Sequence, residues 1–488
     1  MKSLKQKIIQ NLKDSTNERG LDLLEKAFEF AEKSHFEQKR ESGEPFINHP
    51  LRVALTISQM KLGTNAVIAS LLHDVVEDCK VPISEIKSQF NDEVSFLVNG
   101  LTKVNQIKYK ENDNVEKENF RNMILAMAKD IRIILIKLAD RLDNMKTLWP
   151  LEPIKRRKKS LETLEILAPL AYRLGMSDIA AQLEDLAFPY SYPEEYRLSK
   201  KIIGKRKEEL ENYLQELVPL VQKKLKENNL NPQKIKSRAK HLYSVWRKLQ
   251  KEDMDIKRIY DLVAMRIIMP NIEECYGALG IIHQMWKPVP GRFKDYIALP
   301  KPNGYQSLHT TVFAKNERIV EIQIRTPQMD EEAEWGIAAH WIYGDLKDSK
   351  KYKKKGKFNP PKKFYWINQL RDWQKKFYDS KEFLSSLKVD FFKDRIFVLT
   401  PKGDIIDLPD GATTIDFAYQ IHTDVGNQAA GAKVNGRLVS LDYKLQSGEV
   451  VEIINKKRKL PSSSWLEFVK MTETKKKIQD ALKGKNSI

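Results

Sequence analysis

Ile319-Val320-Glu321-Ile322-Gln323-Ile324-Arg325 alternates apolar and polar residues without a break, and it restricts the fold of this chain most tightly. In a strand, the period of two places Glu321, Gln323 and Arg325 on one face and Val320, Ile322 and Ile324 on the other. The apolar row has to meet a core. An acid, an amide and a base in one row are costly to bury without partners. The residues before it, from Gly291 on, add Lys294, Lys301, Tyr305 and His309. Together these groups read as a floor under a polyanion that needs a metal ion, or as the solvated face of an edge strand.

The surrounding chain is long enough for several domains. Its 488 residues imply about two to four of them, and 41% apolar residues suffice for real cores. A formal charge of +19 and a pI near 9.4 favour polyphosphate ligands or nucleic acid. Cys79 and Cys275 are far apart, which excludes a disulfide framework or a cysteine zinc site. The Lys-rich amino terminus lacks the apolar core of a signal peptide, and no apolar run approaches a membrane span. A soluble cytoplasmic protein without a membrane partner is expected. No Gly-rich phosphate loop occurs, so a P-loop or Rossmann site is not expected.

Residues 1–195 are dominated by helical periodicity, as in Leu21, Leu24, Ala27, Phe28 and Ala31. Three polar clusters interrupt it. Arg40 to Pro50 contains a turn and puts His49 at a helix entrance, just before Pro50. In His73-Asp74-Val75-Val76-Glu77-Asp78, helical spacing stacks His73 on Glu77 and Asp74 on Asp78. In Asp140-Arg141-Leu142-Asp143-Asn144, it stacks Asp140 on Asn144. Two His and two Asp from three separate segments make a nitrogen–oxygen site suited to Mn²⁺, Fe²⁺ or Zn²⁺. Glu77 and Asp78 are then left over as general acid/base candidates.

His49, the His73-Asp74 pair and Asp140 match the HD phosphohydrolase pattern. The text around them, Arg-x-Ser-Gly-Glu-Pro-Phe-Ile-x-His-Pro, His-Asp-Val-Val-Glu-Asp and Leu-Ala-Asp-Arg-Leu-x-Asn-Met, resembles the hydrolase domain of the long RelA/SpoT homologues. Those enzymes make and degrade guanosine tetra- and pentaphosphate, (p)ppGpp. The resemblance implies an all-α HD-type domain in which His49, His73, Asp74 and Asp140 hold Mn²⁺. It also implies that Glu77 and Asp78 serve hydrolysis and that Arg40 and Asn144 contact the nucleotide. Asp143 stands where the family usually has a His, which predicts local tuning of the site.

A charged amphipathic helix from Ser199 to Asn228 reads as a connector spanning 196–236. The period then changes, with strands expected near Ile259–Met269 and Ile319–Arg325 and helices near Cys275–Met285 and Asp330–Tyr343. Ser237 to Ser244 reads as the opening of a basic helix. Asp261 and Arg266 are five residues apart, so they share a face only if the strand starts after Asp261 or carries a bulge.

From Arg238 to Ile342 the text resembles the synthetase domain of the same family, with Tyr-Gln-Ser-Leu-His-Thr and Glu-x-Gln-Ile-Arg-Thr intact. A mixed α/β, nucleotidyltransferase-like domain over 237–345 is implied, moving pyrophosphate from ATP to the 3′-hydroxyl of GDP or GTP. On that resemblance Asp261 and Glu321 would hold Mg²⁺. Arg238 and Arg266 would clasp adenine, and Tyr305 would stack on guanine. Lys240, Lys294, Lys301 and His309 would meet phosphates, with Gln323 a further nucleotide contact. The basic loop Arg292-Phe293-Lys294-Asp295 is the version found in bifunctional members. Gating between the two sites through the Ser199–Asn228 helix is expected.

A basic linker and helix (346–392) follow, then short strands and an Asn435-Gly436 hairpin over 393–456 that resemble a β-grasp TGS domain. The resemblance places His422 where the family meets uncharged tRNA on the ribosome. A basic helix from Trp465 to Leu482 forms the tail (457–488), where long family members continue into further regulatory domains. The leading expectation is a bifunctional alarmone synthetase/hydrolase. The alternatives are a hydrolase-dominant enzyme with a regulatory or silent synthetase domain, or a tRNA- or ribosome-sensing binding module.

Overall fold

The computed structural model describes residues 2–13, 15–105, 129–255, 259, 262–301, 303–339, 395–456 and 460–483. Two compact units emerge, Met1–Arg371 and Asp372–Ile488. The expected linker 346–392 and Asp261 lie outside the described residues. Among the described residues no helix is long and apolar enough to cross a membrane.

The first part of unit one is helical, and its core forms where amphipathic stripes meet. Helix Glu18–Ser34 buries Leu24, Ala27, Phe28 and Ala31, the stripe that its spacing predicts, and Asn17 caps its start. Helices Asn48–Gln59 and Ile131–Lys146 pack against each other at the centre. The first buries His49 and the second buries Asp140 and Asp143. One expected helix is broken. It ends at Leu71, His73 and Asp74 occupy a turn, and a short helix restarts at Val75–Asp78. Continuous helical stacking of His73 on Glu77 is therefore absent.

The second part of unit one is a five-stranded sheet in the order β1-β2-β5-β4-β3. The strands are β1 (Lys234–Ala239), β2 (Val263–Ile268), β3 (Lys294–Asp295), β4 (Leu308–Phe313) and β5 (Ile319–Arg325). Only β2 and β5 pair in parallel; the other neighbours are antiparallel. Val320, Ile322 and Ile324 join Met265, Ile267, Leu308 and Val312 in one buried cluster, as the alternation requires.

Helix Pro193–Glu227 lies on that apolar side and contributes Leu214, Leu217, Val221 and Leu225 to the same core. It is thus a structural layer of this region as well as a link in the chain. Ser237 to Ala239, expected to open a helix, form the end of β1 instead, and the helix begins at Leu242. Pairing with β2 overrides the local preference here.

In the second unit β6 (Arg395–Leu399) pairs with β7 (Ile405–Pro409). β8 (Ala429–Val434), β9 (Arg437–Val439) and β10 (Val451–Asn455) form a three-stranded sheet. The β8–β9 turn has φ of 49° at Asn435 and 80° at Gly436, the positive pair that a two-residue hairpin demands. The tail is two helices rather than one, Trp465–Phe468 and Thr472–Lys483. Trp465, Val469 and Ile478 are buried against Ile415, Ala418 and Tyr419, so the tail completes this unit's core.

Candidate active sites

The first site is built at the centre of the helical region. His49 comes from the first turn of Asn48–Gln59, the His73-Asp74 pair from the broken turn, and Asp140 from Ile131–Lys146. His49 Nε2 lies 3.2 Å from Asp140 Oδ1 and 3.5 Å from Asp74 Oδ2, and His73 Nε2 lies 3.2 Å from Asp74 Oδ2. Ligand atoms of His49, His73 and Asp140 all fall within 4.8 Å of one another. The far side of each ring is anchored. His73 Nδ1 is 2.8 Å from Ser70 O, and His49 Nδ1 is 2.7 Å from Asp143 Oδ2. Donation from Nδ1 fixes the tautomer and leaves both Nε2 atoms as bases facing the cluster. His73 Nε2 is buried without a hydrogen bond. That orphaned nitrogen, beside two carboxylates, fits a divalent metal ion.

The charges agree with this. Burial would lower the His73 pKa, but Asp74 and Asp140 win and raise it to about 9. Burial would raise Asp140, yet Lys137, His49 and His73 hold it well below the usual carboxylate range. An ionised carboxylate beside a histidine whose charged form is favoured marks a place that attracts a cation. At its edge, desolvation, then the negative charges of Asp74 and Glu77, push Asp78 up to about 6. Arg40 bonds Asn144 Oδ1, and Asn144 in turn bonds Asp140, so both expected nucleotide contacts are tied to the metal cluster. Asp143, reached only by comparison of motifs, is central. It also accepts from Arg52 Nε at 2.6 Å and Arg40 Nη1 at 3.3 Å, and Arg52 continues to Glu44.

The second site covers the polar face of the sheet. Glu321 pairs with Ala264 and Thr311, and Gln323 with Arg266 and His309, so Arg266, His309, Glu321 and Gln323 share a face. Lys294 is opposite His309, which extends the face to the sheet edge. β2 is described from Val263, and Asp261, whose spacing to Arg266 left two arrangements open, lies outside the described residues. Tyr305 Oη is 2.8 Å from His309 Nε2, and His309 Nδ1 is 2.9 Å from Glu321 Oε1. Lys301 Nζ stands 5.1 Å from the Tyr305 ring centroid and 4.7 Å from that of Tyr296. Burial first, then Lys294, lower the Lys301 pKa to about 8. Lys240 follows β1, and Arg238 lies opposite Ala264 in the register. The row is therefore an inward polar face, not a solvated one: Gln323 and Arg325 are buried.

The family model "Region found in RelA / SpoT proteins" matches residues 237–348, "HD domain" matches 27–177 and "TGS domain" matches 396–455. The chain is 47% identical over 461 residues to the guanosine-3′,5′-bis(diphosphate) 3′-pyrophosphohydrolase of Aquifex aeolicus, covering 94% of this chain and 64% of that protein. It is 46% identical to the GTP pyrophosphokinase of Myxococcus xanthus, over 95% and 60% of the two chains. It is 42% identical to the bifunctional (p)ppGpp synthase/hydrolase SpoT of Escherichia coli K12, over 94% and 65%. Over most of its length the chain is similar to RelA/SpoT proteins. It spans about three fifths of the length of these curated relatives.

In this chain the all-α HD region, the α/β region and the small β-rich TGS unit follow one another in the expected order. His422 is 66% exposed in its side chain and caps the helix Thr423–Asn427. Asp330 was not singled out by its sequence. It sits in helix Pro327–Trp335 and binds Arg325, Arg266 and Lys236. Its one legible signal was position, five residues beyond Arg325.

Proposed function

We propose that the chain carries two opposed activities on guanosine nucleotides. One is pyrophosphoryl transfer from ATP to the 3′-hydroxyl of GDP or GTP. The other is hydrolysis of the 3′-pyrophosphate back to GDP or GTP and pyrophosphate. The observation that carries this reading is the coexistence, in one compact unit, of a buried His/Asp metal cluster and a separate polar sheet face.

In the hydrolase site His49 and His73 would offer Nε2, and Asp74 and Asp140 a carboxylate oxygen each. The bound ion, proposed as Mn²⁺, supplies Lewis-acid polarisation of the phosphate and a water of lowered pKa. Asp78, raised to about 6, changes protonation near neutrality and so suits the proton transfer at the 3′-phosphate; Glu77 stands beside it. Arg40 and Asn144 would orient the nucleotide, held in place by their bonds to each other and to the cluster.

In the synthetase site positioning outweighs covalent chemistry, because phosphoryl-group transfer needs mainly alignment and charge neutralisation. Glu321, together with Asp261, would hold Mg²⁺. His309 fixes Glu321 through Nδ1 and Tyr305 through Nε2, so a single ring orients both the acid and the aromatic platform. Tyr305 would receive guanine, while Arg238 and Arg266 would hold adenine. Lys240, Lys294 and Lys301 would meet phosphates, with His309 and Gln323 beneath them. The exposed His422 of the TGS unit is proposed to meet uncharged tRNA on the ribosome.

Product analysis tests the reading. ATP with GDP and Mg²⁺ should yield guanosine tetraphosphate, and guanosine tetraphosphate with Mn²⁺ should yield GDP and pyrophosphate. A protein that forms neither product removes the proposal.

A further inference from the structure

Asp330 is bound to three cations drawn from three different strands. Arg325 Nη2 of β5 donates to its Oδ1, Arg266 Nη1 of β2 lies 3.2 Å from the same oxygen, and Lys236 Nζ of β1 lies 3.4 Å from Oδ2. Lys236 is opposite Arg266 in the register, and Arg266 is opposite Gln323, so this cation row crosses the polar face of the sheet. Arg266 is 4% exposed and Arg325 is 1% exposed. One carboxylate therefore meets two buried guanidinium groups and an ammonium, and the Glu334 carboxyl interacts with Lys236 and Arg266 as well. Nε and Nη1 of Arg325 are buried without a hydrogen bond. Its guanidinium carbon is 6.0 Å from the Tyr305 ring centroid. Buried N–H donors without a hydrogen bond are costly, and the phosphate oxygens of a polyanion would satisfy those of Arg325.

We infer that Asp330 is a positioning residue of the synthetase site, holding Arg266 and Arg325 in a fixed array that receives the polyphosphate nucleotide donor. The inference rests on the synthetase reading above and adds a residue to it. Asp330 does not touch substrate; it acts through the two arginines. Two opposite effects follow from neutralising it. Loss of a negative charge makes the face more attractive to phosphates, whereas loss of the anchor frees both guanidinium groups. With charge-assisted bonds to buried arginines at stake, orientation wins.

The test is calorimetric titration of the full chain with ATP and Mg²⁺, for wild type, Asp330→Asn and Asp330→Glu, with synthesis and hydrolysis measured on the same preparations. Asp330→Asn should weaken ATP binding about ten-fold and raise the KM for ATP by about as much, a loss typical of a charge-assisted contact, with kcat at saturation far less affected. Asp330→Glu should recover part of the affinity. Unchanged hydrolysis of guanosine tetraphosphate shows that the unit is still folded. Equal or tighter ATP binding by Asp330→Asn overturns the inference, as does a fall in kcat with no change in KM. Should Asp330→Asn fail to fold, Asp330→Glu decides alone: the inference requires weaker ATP binding than wild type, and equal binding overturns it. A wild type that binds ATP but makes no tetraphosphate removes the synthetase reading while leaving Asp330 testable by binding. A wild type that binds no ATP removes both.

Discussion

Asp143 joins His49 of the His/Asp cluster to two arginines, and its effect on the proposed hydrolase site follows from that geometry. The resemblance predicts a His at this position, and the chain places Arg52 against the Asp that stands there. An imidazole there would have no need of a guanidinium partner; a carboxylate buried to 5% exposure does. Asp143→Asn keeps the shape but loses the charge that polarises His49, so metal affinity should fall about 10–100-fold, as for other partners of metal-bound histidines. Titration with Mn²⁺ checks this, and unchanged affinity would show that His49 does not depend on it.

Asp78 gives a pH prediction. Its raised value of about 6 means that the carboxylate is lost as pH falls through that value. If it accepts the proton, kcat/KM for hydrolysis declines on the acid side at or below pH ~6, since a bound cation would only lower the value further. Asp78→Asn should abolish that limb along with most of the activity. The ligand types were legible in the sequence because three separate polar clusters interrupt the helical text in turn. The partners that hold them were not, since Arg52 and Asp143 are 91 residues apart.

Helices and strands were read well where a single period ran on, and poorly where a side chain diverts the backbone. The tail illustrates this. Its pattern from Trp465 to Leu482 suggests one helix, but Lys470 N and Met471 N both donate to Asp416, at 3.0 and 2.9 Å, and the helix divides there. Asp416 also accepts from Thr413 N and Oγ1, closing a capping box at the start of helix Thr414–Ile421. Removing this fully buried carboxylate leaves four donors unsatisfied. Asp416→Ala should destabilise the second unit by roughly 2–4 kcal/mol, given the cost of several broken buried hydrogen bonds. Chemical denaturation would read it, and a loss below the scatter of surface substitutions would contradict the role. The break at His73 has a similar origin, with Nδ1 bonded back to Ser70 O. Neither diversion has a local sequence signal, because one depends on a residue 54 positions away and the other on ring orientation.

At the scale of the first unit, the helical and sheet regions are joined by close backbone contact as well as by the Pro193–Glu227 helix. Ile337 N donates to Leu174 O at 2.8 Å. Gly336, with φ of 57°, sits so near that a Cβ would come within 2.2 Å of Leu174 O. Asp185, from the helical side, accepts from Tyr243 N and meets His241 Nδ1 at 2.9 Å, at the start of helix Leu242–Lys251. Gly336 follows the same helix that carries Asp330, so a displacement at this contact reaches the arginine array of the sheet face. Gly336→Ala forces the contact to move. It should lower Tm and alter the ratio of synthesis to hydrolysis; an unchanged Tm and ratio would show that the contact transmits nothing. The sequence suggested gating through the long helix, whereas these contacts offer a shorter route that only folding brings together.

The most direct test of two chemistries in one chain is a paired assay on the wild type, Asp74→Ala and Glu321→Ala. Each is offered ATP, GDP and Mg²⁺ in one arm and guanosine tetraphosphate with Mn²⁺ in the other. The account predicts that the wild type works in both arms, that Asp74→Ala loses only pyrophosphate release, and that Glu321→Ala loses only tetraphosphate synthesis. A wild type active in one arm alone, or a well-folded single substitution that silences both, would contradict it.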